Sequence, residues 1–161
     1  MKRWGASGTE SASRAFEALY RRHWAPMVRL AWLLAGSRQV AEDVVHDAFL
    51  RLEARVPAPD FPDVYLRRMV VNGVHDHHRR VAVERRHQPP SPEPGPDPGT
   101  NAAELWSLVR QLPPRQREAV VLRYYADLSF GELAALMDCP VATARTLVHR
   151  GLARLRKEAT P

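Results

Sequence analysis

Apolar positions recur at helical spacing along most of the chain, and strict alternation of apolar and polar residues is scarce. The stretch AEDVVHDAFLRLEARV places Val44, Val45, Ala48, Phe49 and Leu52 on one face, the stripe of a helix that packs on a core. Its opposite face carries Asp43, His46, Asp47 and Leu50. Upstream, Phe16, Leu19 and Tyr20, then Val28, Ala31, Trp32 and Ala35, predict two more amphipathic helices, and Gly36-Ser37 predicts where the second ends. A fourth helix is expected from about Val64 to Val83.

The C-terminal part repeats the pattern. AAELWSLVRQL sets Leu105, Leu108, Val109 and Leu112 on one face, and PPRQREAVVLRYY opens a helix with Pro114 suited to its first turn. SFGELAALM begins with a capping-box pair, Ser129 and Glu132, and directs Phe130, Leu133, Ala134 and Met137 inward. After the short turn DCPV, ATARTLVHRGLARLRKEA forms a last helix with Ala144, Val148, Leu152 and Leu155 on its packing side. Two short helices joined by a tight turn, the second one basic, have the outline of a helix-turn-helix.

Between these parts lies QPPSPEPGPDPGTN, with six prolines, no Lys or Arg and no large apolar side chain, which can neither continue a helix nor pack a core. In extended form, at ~3.1 Å per residue, it separates its ends by roughly 40 Å. The expected fold is therefore all-α: two small helical domains, residues 13–87 and 102–158, joined by a Pro-rich linker, residues 88–101, behind a disordered tail, residues 1–12.

Composition narrows the function. The chain has 161 residues with 24 Lys and Arg against 18 Asp and Glu, a net +6, which favours a polyanionic partner without choosing between nucleic acid and an acidic membrane surface. The linker carries −2 between lobes of +5 and +3. A single cysteine, Cys139, excludes an internal disulfide and the Cys-rich zinc modules, and its expected role is that of a small apolar residue rather than a redox sensor. No apolar run reaches the ~20 residues of a membrane span, so a cytoplasmic protein with no membrane insertion is expected.

Three constellations carry chemistry. The last helix has five basic residues and no acid from Thr143 to Lys157, which suits a helix reading base edges and phosphates, though a solvated basic face has the same composition. The acidic face around Leu50 suits either solvent or a docked protein. The segment NGVHDHHRR packs His75, Asp76, His77 and His78 together, and the pairs His46-Asp47 and His75-Asp76 invite comparison with metal-dependent phosphohydrolases. Helical spacing argues against a metal: His75 and His78 share a face and His77 points elsewhere, leaving too few ligands. Flanked by Arg67, Arg68, Arg79, Arg80, Arg85 and Arg86, the segment fits a surface for unpaired bases and phosphate, with an exposed polar helix end as the plain alternative. No catalytic residue, metal or cofactor is expected.

Taken together, these motifs resemble the RNA polymerase sigma factors of the sigma-70 family, in particular the short extracytoplasmic-function (ECF) class, which retains regions 2 and 4. Residues 112–156 are similar to region 4 nearly end to end, AEDVVHDAFLRL to the region 2.2 helix, and YLRRMVVNGVHDHHRR to regions 2.3 and 2.4. The resemblance implies a non-enzymatic subunit that binds core RNA polymerase through its β′ clamp helices and β flap and directs it to promoter DNA. It assigns Asp43, His46, Asp47 and Leu50 to the clamp contact. Asn72, His75, Asp76, His77, Arg79 and Arg80 fall to capture and opening of the −10 element, and Thr143, Arg145, Thr146, His149 and Arg150 to the major groove at the −35 element. An anti-sigma factor is a further partner that such relatives have. This chain departs from the family pattern at His46, usually Gln, at Tyr65, usually Trp, and at Leu147, often Arg. The rival reading is a free-standing helix-turn-helix regulator.

Overall fold

In the computed structural model, which describes residues 9–55, 60–84 and 100–159, every described regular element is a helix. The first group is α1 (Thr9–Ala35), α2 (Arg38–Glu53) and α3 (Pro62–Glu84); the second is α4 (Thr100–Val109), α5 (Pro114–Tyr124), α6 (Phe130–Leu136) and α7 (Val141–Ala159). The predicted linker lies outside the described residues except for Thr100 and Asn101, which open α4. Arg85 and Arg86 also lie outside them.

Two expectations about the N-terminal part are corrected. The helices predicted around Leu19 and Ala31 are one continuous helix of 27 residues with Pro26 inside it. Proline removes one backbone donor and is normally a helix breaker, but here it faces solvent while the apolar stripe runs unbroken past it. Tyr20 stacks on Trp24 at 5.0 Å, and Tyr20, Trp24 and Phe16 all gather on Phe49 of α2. Beyond Pro26 the stripe continues through buried Met27, Leu30, Ala31 and Leu34, so packing on both sides holds the helix together. Residues 9–12, expected to lie in a disordered tail, are helical: Glu10 sits in the first turn, where a carboxylate complements the helix N-terminus, and pairs with Arg14 at 3.7 Å.

The helix ends follow from local chemistry. Gly36 adopts φ +76, a left-handed value that only glycine takes without strain, and its N–H donates to the Trp32 carbonyl. Ser37 then caps α2 by accepting from Val40 N–H at 3.3 Å. Pro114 occupies the first turn of α5. At α6 the capping box is complete: Glu132 N–H donates to Ser129 Oγ at 3.3 Å and Ser129 N–H to Glu132 Oε2 at 2.8 Å. These bonds hold the Glu132 carboxyl below its usual pKa range. Asp138, at φ 49, makes the turn into α7.

The buried residues of the two groups belong to one hydrophobic cluster, with a concentration in each group. Val45, Ala48, Phe49 and Leu52 of α2 meet Leu66, Val70, Val71 and Val74 of α3 under α1. Ala119, Val120 and Leu122 of α5 meet Leu133, Met137, Ala144 and Val148. Close helix approach depends on glycine twice. A Cβ on Gly73 of α3 would lie 2.7 Å from Val44 Cγ1, and one on Gly151 of α7 would lie 2.7 Å from Val120 Cγ2.

Candidate nucleic-acid interface

The side chains singled out in the sequence fall on three surfaces. On α2, Asp43, His46, Asp47 and Leu50 are all exposed, while Ala41, Val45, Ala48, Phe49 and Leu52 on the other side are buried. Leu50 is 51% exposed, an apolar side chain in the middle of a charged face. Asp47 is paired with Arg51 at 2.9 Å, so one acid of this face already has a partner.

The polar segment of α3 divides between two clefts, as the helical spacing of its histidines predicts. Asn72, His75, His78 and Arg79 line a cleft of about 530 Å³ whose far wall is α5, through Arg115, Arg117 and Glu118, and the end of α6, through Met137 and Asp138. Asp76, His77 and Arg80 line a second cleft, of about 440 Å³, opposite Asp43, Asp47 and Arg51 of α2. The six residues assigned by resemblance to the −10 element thus do not form one patch. Asp76 links the two faces, because Arg79 donates to its Oδ1 at 2.6 Å.

In the first cleft, His75 Nε2 is bonded to Glu118 Oε1, with both side chains largely shielded, 26% and 14% exposed. His78 still meets solvent, yet loss of water on its cleft side, with positive charge on His77, Arg117 and His75 nearby, lowers its pKa; Glu118 opposes the shift. Arg117 is shielded too, which lowers its own pKa, and its guanidinium lies over the Trp106 ring at 5.2 Å. Among the described residues no group of three or more His, Cys, Asp and Glu could hold a metal ion.

The third surface is the outer face of α7. Thr143, Arg145, Thr146, His149 and Arg150 are all exposed there, while Ala144 and Val148 are buried on the side facing α5 and α6. Thr146 Oγ1 donates to the Ala142 carbonyl at 2.9 Å, which leaves its lone pairs outward. The Arg145 guanidinium sits over the Phe130 ring of α6 at 4.9 Å. Leu147 is half-buried against the core, so this departure from the family pattern is a packing residue here. Sequence reading missed Arg117 and Glu118, which line the first cleft, and Trp106; the partners of Glu118 and Trp106, His75 and Trp32, lie in the other lobe and leave no local signature.

Two helical lobes, one ending in a helix-turn-helix with a basic outer face and the other presenting a polar helix beside an exposed acidic face, define a modular helical DNA-binding protein. Residues 19–83 match the family model for sigma-70 region 2 and residues 102–155 that for sigma-70 region 4. The chain belongs to the sigma-70 family of RNA polymerase sigma factors, in its ECF class. It is 31% identical to the RNA polymerase sigma-E factor of Streptomyces coelicolor, over 89% of this chain and 85% of that one. It is 30% identical to the ECF RNA polymerase sigma factor SigE of Mycolicibacterium smegmatis, covering 94% of this chain but only 64% of that protein's length. Its fold matches that of the sigma factor RpoE of Bartonella quintana, solved in complex with the anti-sigma factor NepR, with a TM-score of 0.65 and 18% identity over 90% of this chain and 99% of that one. Among the described residues no helix is long and apolar enough to cross a membrane.

Proposed function

We propose that this chain binds core RNA polymerase and gives it promoter selectivity, performing no chemistry of its own, in the cytoplasm. In this reading residues 13–87 act as region 2 and residues 102–158 as region 4, with residues 88–101 as the connector between them. Asp43, His46, Asp47 and Leu50 dock on the β′ clamp helices, and region 4 reaches the β flap. Asn72, His75, Asp76, His77, Arg79 and Arg80 capture and open the −10 element, while Thr143, Arg145, Thr146, His149 and Arg150 read the −35 element in the major groove. The observation that carries the reading is the second cleft: Asp43 and Asp47 form one wall and Asp76, His77 and Arg80 the other. A polymerase surface seated on α2 would therefore lie beside the strand that α3 engages.

Base contacts by imidazole, amide and carboxylate groups, with arginines on phosphate, suit an unpaired strand. A free-standing regulator has no use for the first lobe and would bind duplex operators without polymerase. An anti-sigma protein, of the kind bound to the Bartonella neighbour, is a partner class that follows by similarity. The test is transcription from genomic DNA by core polymerase reconstituted with the chain. Promoter-specific initiation is expected; absence of initiation together with absence of core binding in pull-down would reject the reading.

A further inference from the structure

Of the exposed large apolar side chains among the described residues, α7 carries one, Val141, which is 42% exposed and lies outside the core cluster. It does not serve the helix either: a β-branched residue on a solvated first turn is a poorer helix former than the alanine that follows it. Pro140 before it has no side-chain acceptor to cap α7, and the first turn holds no acid. Pro140, Val141, Ala142 and Thr143 are all exposed, so the helix opens on a patch rich in methyl and methylene groups. The first cationic residue along α7 is Arg145.

Helical spacing ties this patch to residues that already have a role in the promoter reading. Val141, Arg145 and His149 follow at i, i+4 and i+8 and form one exposed row; Ala142, Thr146 and Arg150 form the row beside it. Four residues of helix rise ~6 Å, against ~3.4 Å per base pair, so Val141 stays within about two base pairs of whatever Arg145 meets. With no carboxylate in the first turn, the positive end of α7 can approach phosphates without repulsion. In the major groove the base edges offer donors and acceptors, and the thymine C5-methyl is the apolar exception. An isopropyl group set against a donor or acceptor strips its water and returns no bond, whereas against a methyl it buries apolar surface on both sides.

Resting on the promoter reading above, we propose that Val141 is a specificity residue of the −35 contact and packs on the C5-methyl of one thymine close to the base pair met by Arg145. Selection at that base pair is then made by shape and exclusion of water, while Arg145 beside it selects by hydrogen bonds. Valine suits the task because its χ1 is already restricted, so little side-chain freedom is lost on contact.

The experiment uses polymerase holoenzyme reconstituted with the full chain, and a duplex promoter that it transcribes. Each −35 thymine is replaced in turn by deoxyuridine, which removes the methyl and leaves every hydrogen-bonding group in place. Competition binding is expected to find one thymine whose replacement weakens wild-type holoenzyme about fourfold, the effect of one buried methyl. That thymine should lie within about two base pairs of the position at which Arg145→Ala relaxes discrimination. Val141→Ala should bind the thymine duplex more weakly by a similar factor and bind the thymine and uracil duplexes alike. Val141→Ile, which keeps a branched apolar side chain, should retain the discrimination, as should Leu108→Ala, which trims an exposed apolar side chain of α4. Alanine is the better helix former at 141, and circular dichroism checks that the variant is folded. Equal affinity of the wild type for every thymine and uracil pair, or full discrimination by Val141→Ala, overturns the proposal. So does a Val141→Ala chain whose loss lies in association with core polymerase instead of with DNA. A wild-type holoenzyme that initiates at no promoter would remove the promoter reading itself, whereas initiation without a methyl effect removes only the role of Val141.

Discussion

Gly73 of α3 faces Val44 of α2 with no room for a methyl group, since a Cβ at 73 would come within 2.7 Å of Val44 Cγ1. The contact fixes the spacing between α2, which carries the proposed polymerase-docking face, and α3, which carries the residues proposed for the −10 element. Val44 is half-buried and β-branched, so its methyl cannot swing aside freely. Gly73→Ala is expected to lower stability by about 1–2 kcal/mol, an overpacking cost of ~1–3 offset by the gain of up to ~1 in helix propensity. Thermal unfolding checks it, and Val44→Ala in the same chain should recover most of the loss. A stabilised Gly73→Ala variant would show that the helices part easily.

The docking face is tested by charge and bulk. Asp43→Arg combined with Leu50→Arg should abolish association with core polymerase in a pull-down, because both side chains are exposed on one face and each change opposes an acidic, partly apolar contact. Neither residue packs in the core, so the unfolding free energy should stay within about 0.5 kcal/mol of wild type. Core binding that survives would mean that the polymerase meets another surface.

The helix pattern, the capping box and the burial of the α2 and α7 stripes were legible in the sequence because each depends on residues within a turn or two. Ser129 with Glu132 and Gly36 with Ser37 are signals of that kind. The continuity of α1 was not legible: Pro26 is a local breaker, and packing on both sides of it, with Tyr20 and Trp24 gathered on distant Phe49 and Met27 and Leu30 buried beyond, overrides it. The division of the α3 histidines between two faces followed from spacing, but what each face meets did not. Glu118 looks like any polar position on an amphipathic helix until α5 is set against α3.

Acid should weaken the fold through two histidines. His23 and His78 both have pKa values held below the ordinary 6.5, first by loss of water and then by neighbouring arginines or histidines. The folded chain therefore takes up fewer protons than the unfolded one near and below that value. Their contribution is complete above pH 6.5 and declines as pH falls through 6.5 and on through the lowered folded values. Denaturant unfolding between about pH 8 and pH 5.5 is expected to show this decline, and His78→Gln should make it shallower. An unchanged slope in that variant would remove His78 as a cause.

The capping box of α6 makes a separate claim about the helix-turn-helix. Ser129→Ala removes the acceptor for Glu132 N–H and should cost about 0.5–2 kcal/mol. The Glu132 carboxyl is held below its ordinary 4.5, so its contribution is present above that value and is lost as pH falls through the lowered one. Glu132→Gln keeps a side-chain acceptor for Ser129 N–H while removing the charge, and should lose less stability than Ser129→Ala does at neutral pH. Equal losses would mean that the charge matters as much as the cap.

On α7, the helix proposed to read the −35 element, one arginine rests on an aromatic ring, and this separates direct reading from positioning. Arg145 and Arg150 are exposed on α7, and Arg145 lies over the Phe130 ring at 4.9 Å. Replacing both arginines with Ala should reduce transcription from −35-dependent promoters while leaving core binding intact. It should also lower the salt dependence of DNA binding, by about one unit of log-log slope for each phosphate left without its guanidinium. Phe130→Leu keeps an apolar side chain at the half-buried position but removes the ring under Arg145. It is expected to weaken the same promoters less than Arg145→Ala does, and to add little when combined with it, because both act through one guanidinium. In vitro transcription on a promoter pair with and without a −35 element reads all four variants. Fully additive effects of Phe130→Leu and Arg145→Ala would show that the ring serves the core of region 4 and does not position the arginine.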